Sequence, residues 1–289
     1  MAEIKAAMVK ELREMTGAGM MECKKALVEA EGDLDAAVDV LRRAGLAAVT
    51  KKAGRATNEG TVIAKVDETG TKGAVVELNC ETDFVGMNEK FKGYAEKIAD
   101  AVLANEPADL EALKASEVDG ETVEAVVTDC IHTMGENTQL GRFALVKAGA
   151  VASYIHMGGK IGVLVGFEVG KPETATADAF KAYGRDVAMQ VAAASPIAPN
   201  REAVPADVVE HEMSIYKAQA ADSGKPEQIQ EKIATGRMEK FYKEFVLTEQ
   251  PFVKDPDMTV TDYTNKVAKE LGDTIKVVSF ERFVLGEAE

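Results

Sequence analysis

The stretch NCETDFVGMNEKF, residues 79–91, brings a thiol, a carboxylate and a benzyl ring close together, at Cys80, Asp83 and Phe84. A cysteine attacks as a thiolate and needs a base or a cation beside it. No histidine stands near Cys80 in the sequence, so a buried strand cysteine is the favoured reading. Other reactive residues fail on spacing. HEMSI at 211–215 is not HExxH, because Ile215 occupies the position of the second ligand. CIH at 130–132 lacks metal-site spacing and a second pair. GGKIG at 158–162 lacks the GxxxxGK[ST] of a phosphate loop. His132 and His211 read as surface or capping histidines. His156 stands apart, because it ends a predicted strand beside MGG at 157–159, a turn of the kind that carries contacts. These absences predict a chain that is not an enzyme and has no catalytic residue, metal site or cofactor.

The ring then remains to be explained. The stretch starts as the end of a strand and finishes as the start of a helix, with Thr82, Asp83, Phe84 and Val85 between them. Phe84 is either a core residue near a turn or a probe aimed at another molecule. An internal repeat bears on the choice. FKGYAEKIADAVLANEP at 91–107 matches FKAYGRDVAMQVAAASP at 180–196 at a constant offset of 89 residues. Phe91, Tyr94, Val102 and Pro107 fall on Phe180, Tyr183, Val191 and Pro196, and upstream Gly60 and Gly73 fall on Gly149 and Gly162. Strand-like segments at 61–67 and 74–80, and at 150–156 and 161–169, make each copy a β-hairpin, a turn and an amphipathic helix. At the turn the copies diverge: Asp83 and Phe84 face Pro172 and Glu173. A shared core would require an apolar twin for Phe84. Its absence favours a special role for the first turn.

The flanking elements are helical. Ile4, Met8, Leu12 and Met15 share a face, as do Met20, Cys23, Leu27 and Ala30, and then Leu34, Ala37, Val38 and Leu41. TGAG at 16–19 and Gly32 separate these three short helices, and Asp33 is placed to cap the third. Residues 206–250 show helical periodicity on both sides of SGKP at 223–226. Val209, Met213, Tyr216 and Ala220 form one stripe, and Ile229, Ile233, Met238 and Phe241 the other. This predicts a helical hairpin. DTIKVVSFERFVLG at 273–286 alternates as a strand returning to the second copy's sheet. The predicted organisation is α+β: a three-helix domain at 1–50, a linker at 51–60, a first α+β subdomain at 61–148 and a second at 149–289, with the helical hairpin inserted at about 206–250.

Composition narrows the function classes. The 289 residues carry a formal net charge of −15, which repels phosphate backbones and disfavours direct nucleic-acid binding. The modest basic cluster Lys51, Lys52 and Arg55 is read as a solvated linker. Three widely spaced cysteines fit a reducing compartment. No apolar run is long enough to span a membrane, and the first residues lack a secretory signal's apolar segment. The expected location is the cytoplasm.

The chain resembles the bacterial translation elongation factor Ts family over nearly its whole length. The residues that carry the resemblance are VKELREMTGAGMMECKKAL at 9–27, NCETDFV at 79–85, IGVLV at 161–165, SGKP at 223–226 and QPFV at 250–253. The resemblance implies a guanine nucleotide exchange factor for the GTPase elongation factor Tu. It also implies a ubiquitin-associated-like N-terminal domain, paired core subdomains and a coiled-coil hairpin. In the family the Thr-Asp-Phe turn inserts near the partner's nucleotide and magnesium site, a role that falls here on Asp83 and Phe84, with Thr82 and Val85 beside them among the expected partner-binding residues. Asp83 would repel phosphate or disturb the magnesium water shell, or else only cap the following helix. Arg13, Met20 and Met21 match positions that support contact with the partner's G domain, and His156 matches a histidine near its C-terminal part. The core and the hairpin are surfaces through which the chain could self-associate. Two rival readings remain: a non-catalytic interaction scaffold using the three-helix domain, and an enzyme using Cys80.

Overall fold

The computed structural model describes residues 4–16, 18–222 and 224–287. Gly17 in the glycine-rich break at 16–19 and Ser223 in the turn at 223–226 lie outside the described residues. Helices α1 (Ala6–Thr16), α2 (Met20–Glu29) and α3 (Leu34–Lys52) close around Val9, Leu12, Cys23, Leu27, Ala37 and Leu41. The Asp33 carboxylate caps α3 by accepting from the Ala36 amide at 2.9 Å. Ahead of it, Glu31 and Gly32 take left-handed dihedrals, and the Gly32 amide donates back to Leu27 at 2.8 Å. Met15 and Met20, expected on apolar faces, are exposed. Helices this short bury only the stripe facing their common centre, and Val9 takes the inward place on α1.

The expected linker at 51–60 is shorter in the structure. Helix α3 runs to Lys52, where two lysines suit the negative end of the helix dipole. The first strand already begins at Glu59, whose partner is Cys80.

The core follows as β1 (Glu59–Val66), β2 (Lys72–Cys80), α4 (Asp83–Gly86), α5 (Glu89–Asn105), α6 (Leu110–Ala115), a small ribbon β3 (Glu117–Val118) and β4 (Glu121–Thr122), α7 (Val123–Met134) and β5 (Thr138–Lys147). Its second half comprises β6 (Ala150–His156), β7 (Ile161–Val169), a 3-10 turn at Pro172–Thr176, α8 (Asp178–Ala194), α9 (Ala206–Ala221), α10 (Glu227–Phe245), β8 (Pro251–Phe252), β9 (Asp255–Thr259), α11 (Val260–Leu271) and β10 (Ile275–Val284).

The offset of 89 residues places β2 on β7 and α5 on α8 end for end. Both helices stop on a left-handed residue, Glu106 and Ser195. The repeat extends beyond what the sequence reading found. At an offset of 137 residues, α7 falls on α11 and β5 on β10, with Thr122 and Thr259 as twin caps and Gly135 and Gly272 as twin stops. The bulge recurs as well: β5 skips Gly141 against β2, and β10 skips Val278 against β7. The difference between the two offsets is taken up by the insertion carrying α9 and α10.

Each copy is a three-stranded antiparallel sheet, ordered β1-β2-β5 and β6-β7-β10. The two sheets pack face to face through Val62, Val75, Val146, Val151, Leu164 and Phe283. Glycine is required at the centre of this contact. A Cβ at Gly73 would lie 2.7 Å from Val151 and 2.9 Å from Leu164, and one at Gly162 would lie 2.4 Å from Val62 and 3.3 Å from Val75. Those valines and that leucine are themselves twins at the offset of 89, so the clash is reciprocal about a pseudo-twofold axis. Helices cover the outer faces. Phe91, Ile98 and Val126 pack on the first sheet, and Phe180, Tyr183 and Val267 on the second.

The hairpin of α9 and α10 is rooted by Val204, Met238, Phe241 and Val246. Its inward stripe holds Ala220 and Ala234, whereas Ile229, expected there, is exposed. Arg201 fastens the root by pairing with Glu239 and Glu249 over the Tyr242 ring. Among the described residues, no helix is long and apolar enough to cross a membrane.

Candidate functional site

Strand β2 delivers the chain to the turn, and its last residue helps to shape it. The Cys80 thiol donates to the Thr82 carbonyl at 3.1 Å. Thr82 is extended and caps α4, its hydroxyl accepting from the Val85 amide at 3.4 Å. Asn88 caps α5 by accepting from the Lys90 amide at 2.8 Å. The capping alternative for Asp83 is thereby corrected: Thr82 and Asn88 cap, and Asp83 is the first helical residue of α4, exposed to solvent. Val85 packs partly on the first core, and Gly86 is buried against β1. A Cβ at Gly86 would sit 2.5 Å from the Gly60 carbonyl oxygen. Gly60 itself has φ +149°, and a Cβ there would meet the Leu78 carbonyl at 2.2 Å. These two glycines let α4 lie directly on the sheet. Phe84 then points away with 80% of its surface exposed, next to an exposed Met87. By contrast, Phe91, Phe167 and Phe180 are fully enclosed.

The base of the turn is latched from the far side of the sheet. After α7, Glu136 turns its carboxylate onto the β2 end. It accepts from the Glu81 amide at 3.1 Å, the Thr82 amide at 3.0 Å and the Thr82 hydroxyl at 2.7 Å. Glu81 reciprocates, accepting from the Asn137 amide at 2.6 Å and pairing with Arg55 at 3.3 Å. These donors, the Asn137 amide first, hold the Glu81 carboxyl below the usual range. The buried Asn137 side chain donates to the Arg55 carbonyl at 2.8 Å. The segment arriving from the three-helix unit is thus fastened at the same point.

A second turn sits on the same strand. The β6–β7 connection runs from His156 through a left-handed Met157, which is 73% exposed. The Gly159 carbonyl accepts from the Val62 amide at 2.8 Å, and a Cβ at Gly159 would lie 2.2 Å from the Thr61 hydroxyl. Lys160 pairs with Glu59 at 2.6 Å. Residues 59–62 of β1 therefore seat both turns. His156 ends β6 as expected, half-buried, with Nδ1 3.1 Å from the Tyr154 hydroxyl. Arg13, Met20 and Met21 lie on α1 and α2, all exposed, the two methionines at 59% and 64%. Among the described residues, no hydrogen bond or ion pair joins them to the turn. Their unit attaches to α7 instead, through Lys52 donating to the Ile131 carbonyl at 3.2 Å and Glu22 lying 3.4 Å from His132 Nε2.

Chemistry is otherwise quiet. Burial pushes the Cys80 and Cys130 thiols up to about 12, far from a usable thiolate at neutral pH. Among the described residues, no cluster of three or more His, Cys, Asp or Glu side chains could hold a metal. Two members of the basic cluster, Lys52 and Arg55, bond to the protein itself. What the site can do is hold an apolar ring in solvent on a rigid mount. Sequence reasoning missed Glu136, Glu81 and the seating of Gly86 on Gly60, and it named Met157 only as part of the MGG turn. Glu136 carried a signal only in hindsight: at the offset of 137 its twin is Asp273, another carboxylate.

A family model described as Elongation factor TS matches residues 81–287. The Elongation factor Ts of Trichlorobacter lovleyi is 50% identical over 289 aligned residues, covering 98% of this chain and 93% of that protein. Those of Rhodospirillum rubrum and Desulfovibrio desulfuricans are 49% and 48% identical, each over 99% of this chain. With relatives aligned over nearly their whole length and the family model running from the turn through the second sheet and the hairpin, the chain belongs to the elongation factor Ts family.

Proposed function

We propose that the chain binds the GTPase elongation factor Tu and promotes GDP release by inserting the Asp83–Phe84 turn near its nucleotide and magnesium site. The observation that carries this reading is the exposed Phe84 ring on a turn fixed at both ends. A ring held this way loses little conformational freedom on insertion. Burying it contributes roughly 1.5–3 kcal/mol, whereas turning a 1:99 equilibrium into 99:1 takes about 5.5 kcal/mol. The remainder must come from a wider interface, to which we assign Arg13, Met20, Met21 and His156. Asp83, exposed and with a carboxylate that has no bonding partner among the described residues, brings negative charge toward phosphate or the magnesium water shell. Coupling is reciprocal, so bound nucleotide weakens the factor's hold by the same ratio. The chain acts by displacing a ligand, not by covalent chemistry.

Stopped-flow release of fluorescent GDP from elongation factor Tu tests the reading. Phe84→Ala is expected to fold normally and to cut the maximal release rate about tenfold or more, as losing roughly 1.4 kcal/mol or more would. A folded variant that exchanges at the wild-type rate would remove Phe84 from the mechanism. Joint replacement of Met20 and Met21 by alanine is expected to raise the half-saturating concentration about tenfold, the order of one interface hot spot. An unchanged titration would take the three-helix unit out of the contact.

A further inference from the structure

We infer that Glu136 is a positioning residue for exchange, setting where Phe84 stands without belonging to the surface that meets the partner. This rests on the reading of Phe84 given above. Three bonds converge on the Glu136 carboxylate from the two residues just before Asp83. They fix the direction in which β2 hands the chain to α4. Without them the Glu81 and Thr82 amides would have no acceptor among the described residues, and the short α4 would depend on its contact with Gly60 and on Thr82.

The second copy gives an independent measure of what such a latch does. At the twin position Asp273 accepts from the Lys171 amide at 3.1 Å and the Thr174 hydroxyl at 2.6 Å. Lys171 is the twin of Thr82, and the 3-10 turn at Pro172–Thr176 is the twin of α4. The same loop, between the outer helix and the third strand, therefore latches the same junction in both copies. Only the first copy mounts an exposed ring on it. The latch is a device of the scaffold, and in the first copy it orients Phe84. Misplacing a reacting or inserting group by about 1 Å can cost up to about a hundredfold in rate, so a latch can matter to exchange far beyond its effect on folding.

The test measures maximal GDP release at saturating factor, the half-saturating concentration and the melting temperature for Glu136→Ala, Glu136→Gln and Asp273→Ala, with Phe84→Ala as reference. Gln keeps an acceptor for the amides and can donate to the Thr82 hydroxyl. The expected result is that Glu136→Ala lowers the maximal rate about tenfold or more, with a half-saturating concentration within about threefold of wild type. Glu136→Gln should restore most of the rate. Asp273→Ala should lower the melting temperature comparably and leave the maximal rate within about twofold. If Glu136→Ala does not fold, Glu136→Asp, one methylene short of the amides, must lower the maximal rate in the same way. A folded Glu136→Ala or Glu136→Asp protein that exchanges like wild type overturns the inference, as does an Asp273→Ala loss of rate equal to that of Glu136→Ala. If Phe84→Ala also exchanges like wild type, the proposed insertion of the Asp83–Phe84 turn has itself failed. If Phe84→Ala is slow while Glu136→Ala is fast, only the positioning role has failed.

Discussion

The two strand-to-helix turns of the core start from the same construction and end in different objects. In each, a hairpin strand stops, a carboxylate from the loop after the outer helix accepts from the backbone just beyond it, through two amides in the first copy and one in the second, and a short helical turn leads to a long helix. In the second copy the turn begins with Pro172 and Glu173 and tucks Thr174 and Ala175 inward. In the first it begins with Asp83 and Phe84, and the ring faces solvent. Duplication supplied a rigid mount twice, and only one copy carries something on it. The difference separates what folding needs from what a partner would need: the shared parts are scaffold, and the unshared ring is free for recognition.

The largest effect is expected from writing the second turn into the first. The double variant Asp83→Pro with Phe84→Glu keeps residues suited to a first helical turn, since proline is preorganised there and an acid suits the positive end of the helix. Its melting temperature should stay within a few degrees of wild type, and maximal GDP release should fall at least about tenfold, as in the single alanine variant. Full exchange by the folded double variant would mean that the contrast between the turns has no bearing on function.

Next in size is the seat of the turn. Gly86 has Ala175 as its twin, so the second copy accommodates a methyl group that the first does not. Gly86→Ala would press on the Gly60 carbonyl, and overpacking of this kind costs about 1–3 kcal/mol. Urea denaturation should register that loss, and exchange should slow because the turn must move. The reverse change, Ala175→Gly, should cost about 1 kcal/mol and leave exchange unaltered. Equal effects on exchange from both changes would show that the two seats are functionally alike.

These contrasts were partly legible beforehand. The offset of 89 residues shows in identical residues, because Phe91 and Phe180 fill equivalent core sites and Gly73 and Gly162 face the opposite sheet. The offset of 137 is hard to see, because beyond the caps Thr122 and Thr259, the stops Gly135 and Gly272 and a few others, its twins share burial without sharing identity: Cys130 with Val267, Ile131 with Ala268, Val146 with Phe283. Phe84 could be singled out because its twin is a glutamate. The latch could not, since a carboxylate reaching backbone amides across two elements leaves no periodicity, and backbone donors have no letter in the sequence. Met15 and Met20 were misjudged for a related reason. Periodicity finds an apolar stripe, but only packing decides how much of it is covered.

Cys80 offers a smaller contrast. Its twin is Val169, which cannot donate to a carbonyl as the thiol does to Thr82. Cys80→Val adds about one methyl group at a buried site and should cost about 1–3 kcal/mol. Exchange should remain within about twofold, because the latch and both caps persist. Abolished function in a folded Cys80→Val protein would revive the reading of this residue as a nucleophile.

The smallest effect is expected at the far end of the first outer helix, where the copies differ in charge. Glu106 takes a left-handed conformation and pairs with Lys72 at 2.5 Å and Lys147 at 2.8 Å, tying α5 to β2 and β5. Its twins are Ser195, Ile161 and Val284, so the second copy closes the same corner without ions. Lys147 and then Lys72 pull the Glu106 carboxyl down to about 2 from its ordinary 4.5. A depressed carboxylate stabilises the fold above its unfolded value, and that contribution disappears as the pH falls through the folded one. Glu106→Ser, borrowing the twin residue, should therefore melt slightly below wild type at pH 6. The gap should close progressively between pH 4.5 and about 2, and salt should narrow it at every pH, because surface pairs are screened. A gap that persists at pH 2 would mean that Glu106 stabilises this corner through packing, leaving the two copies closed by the same kind of force.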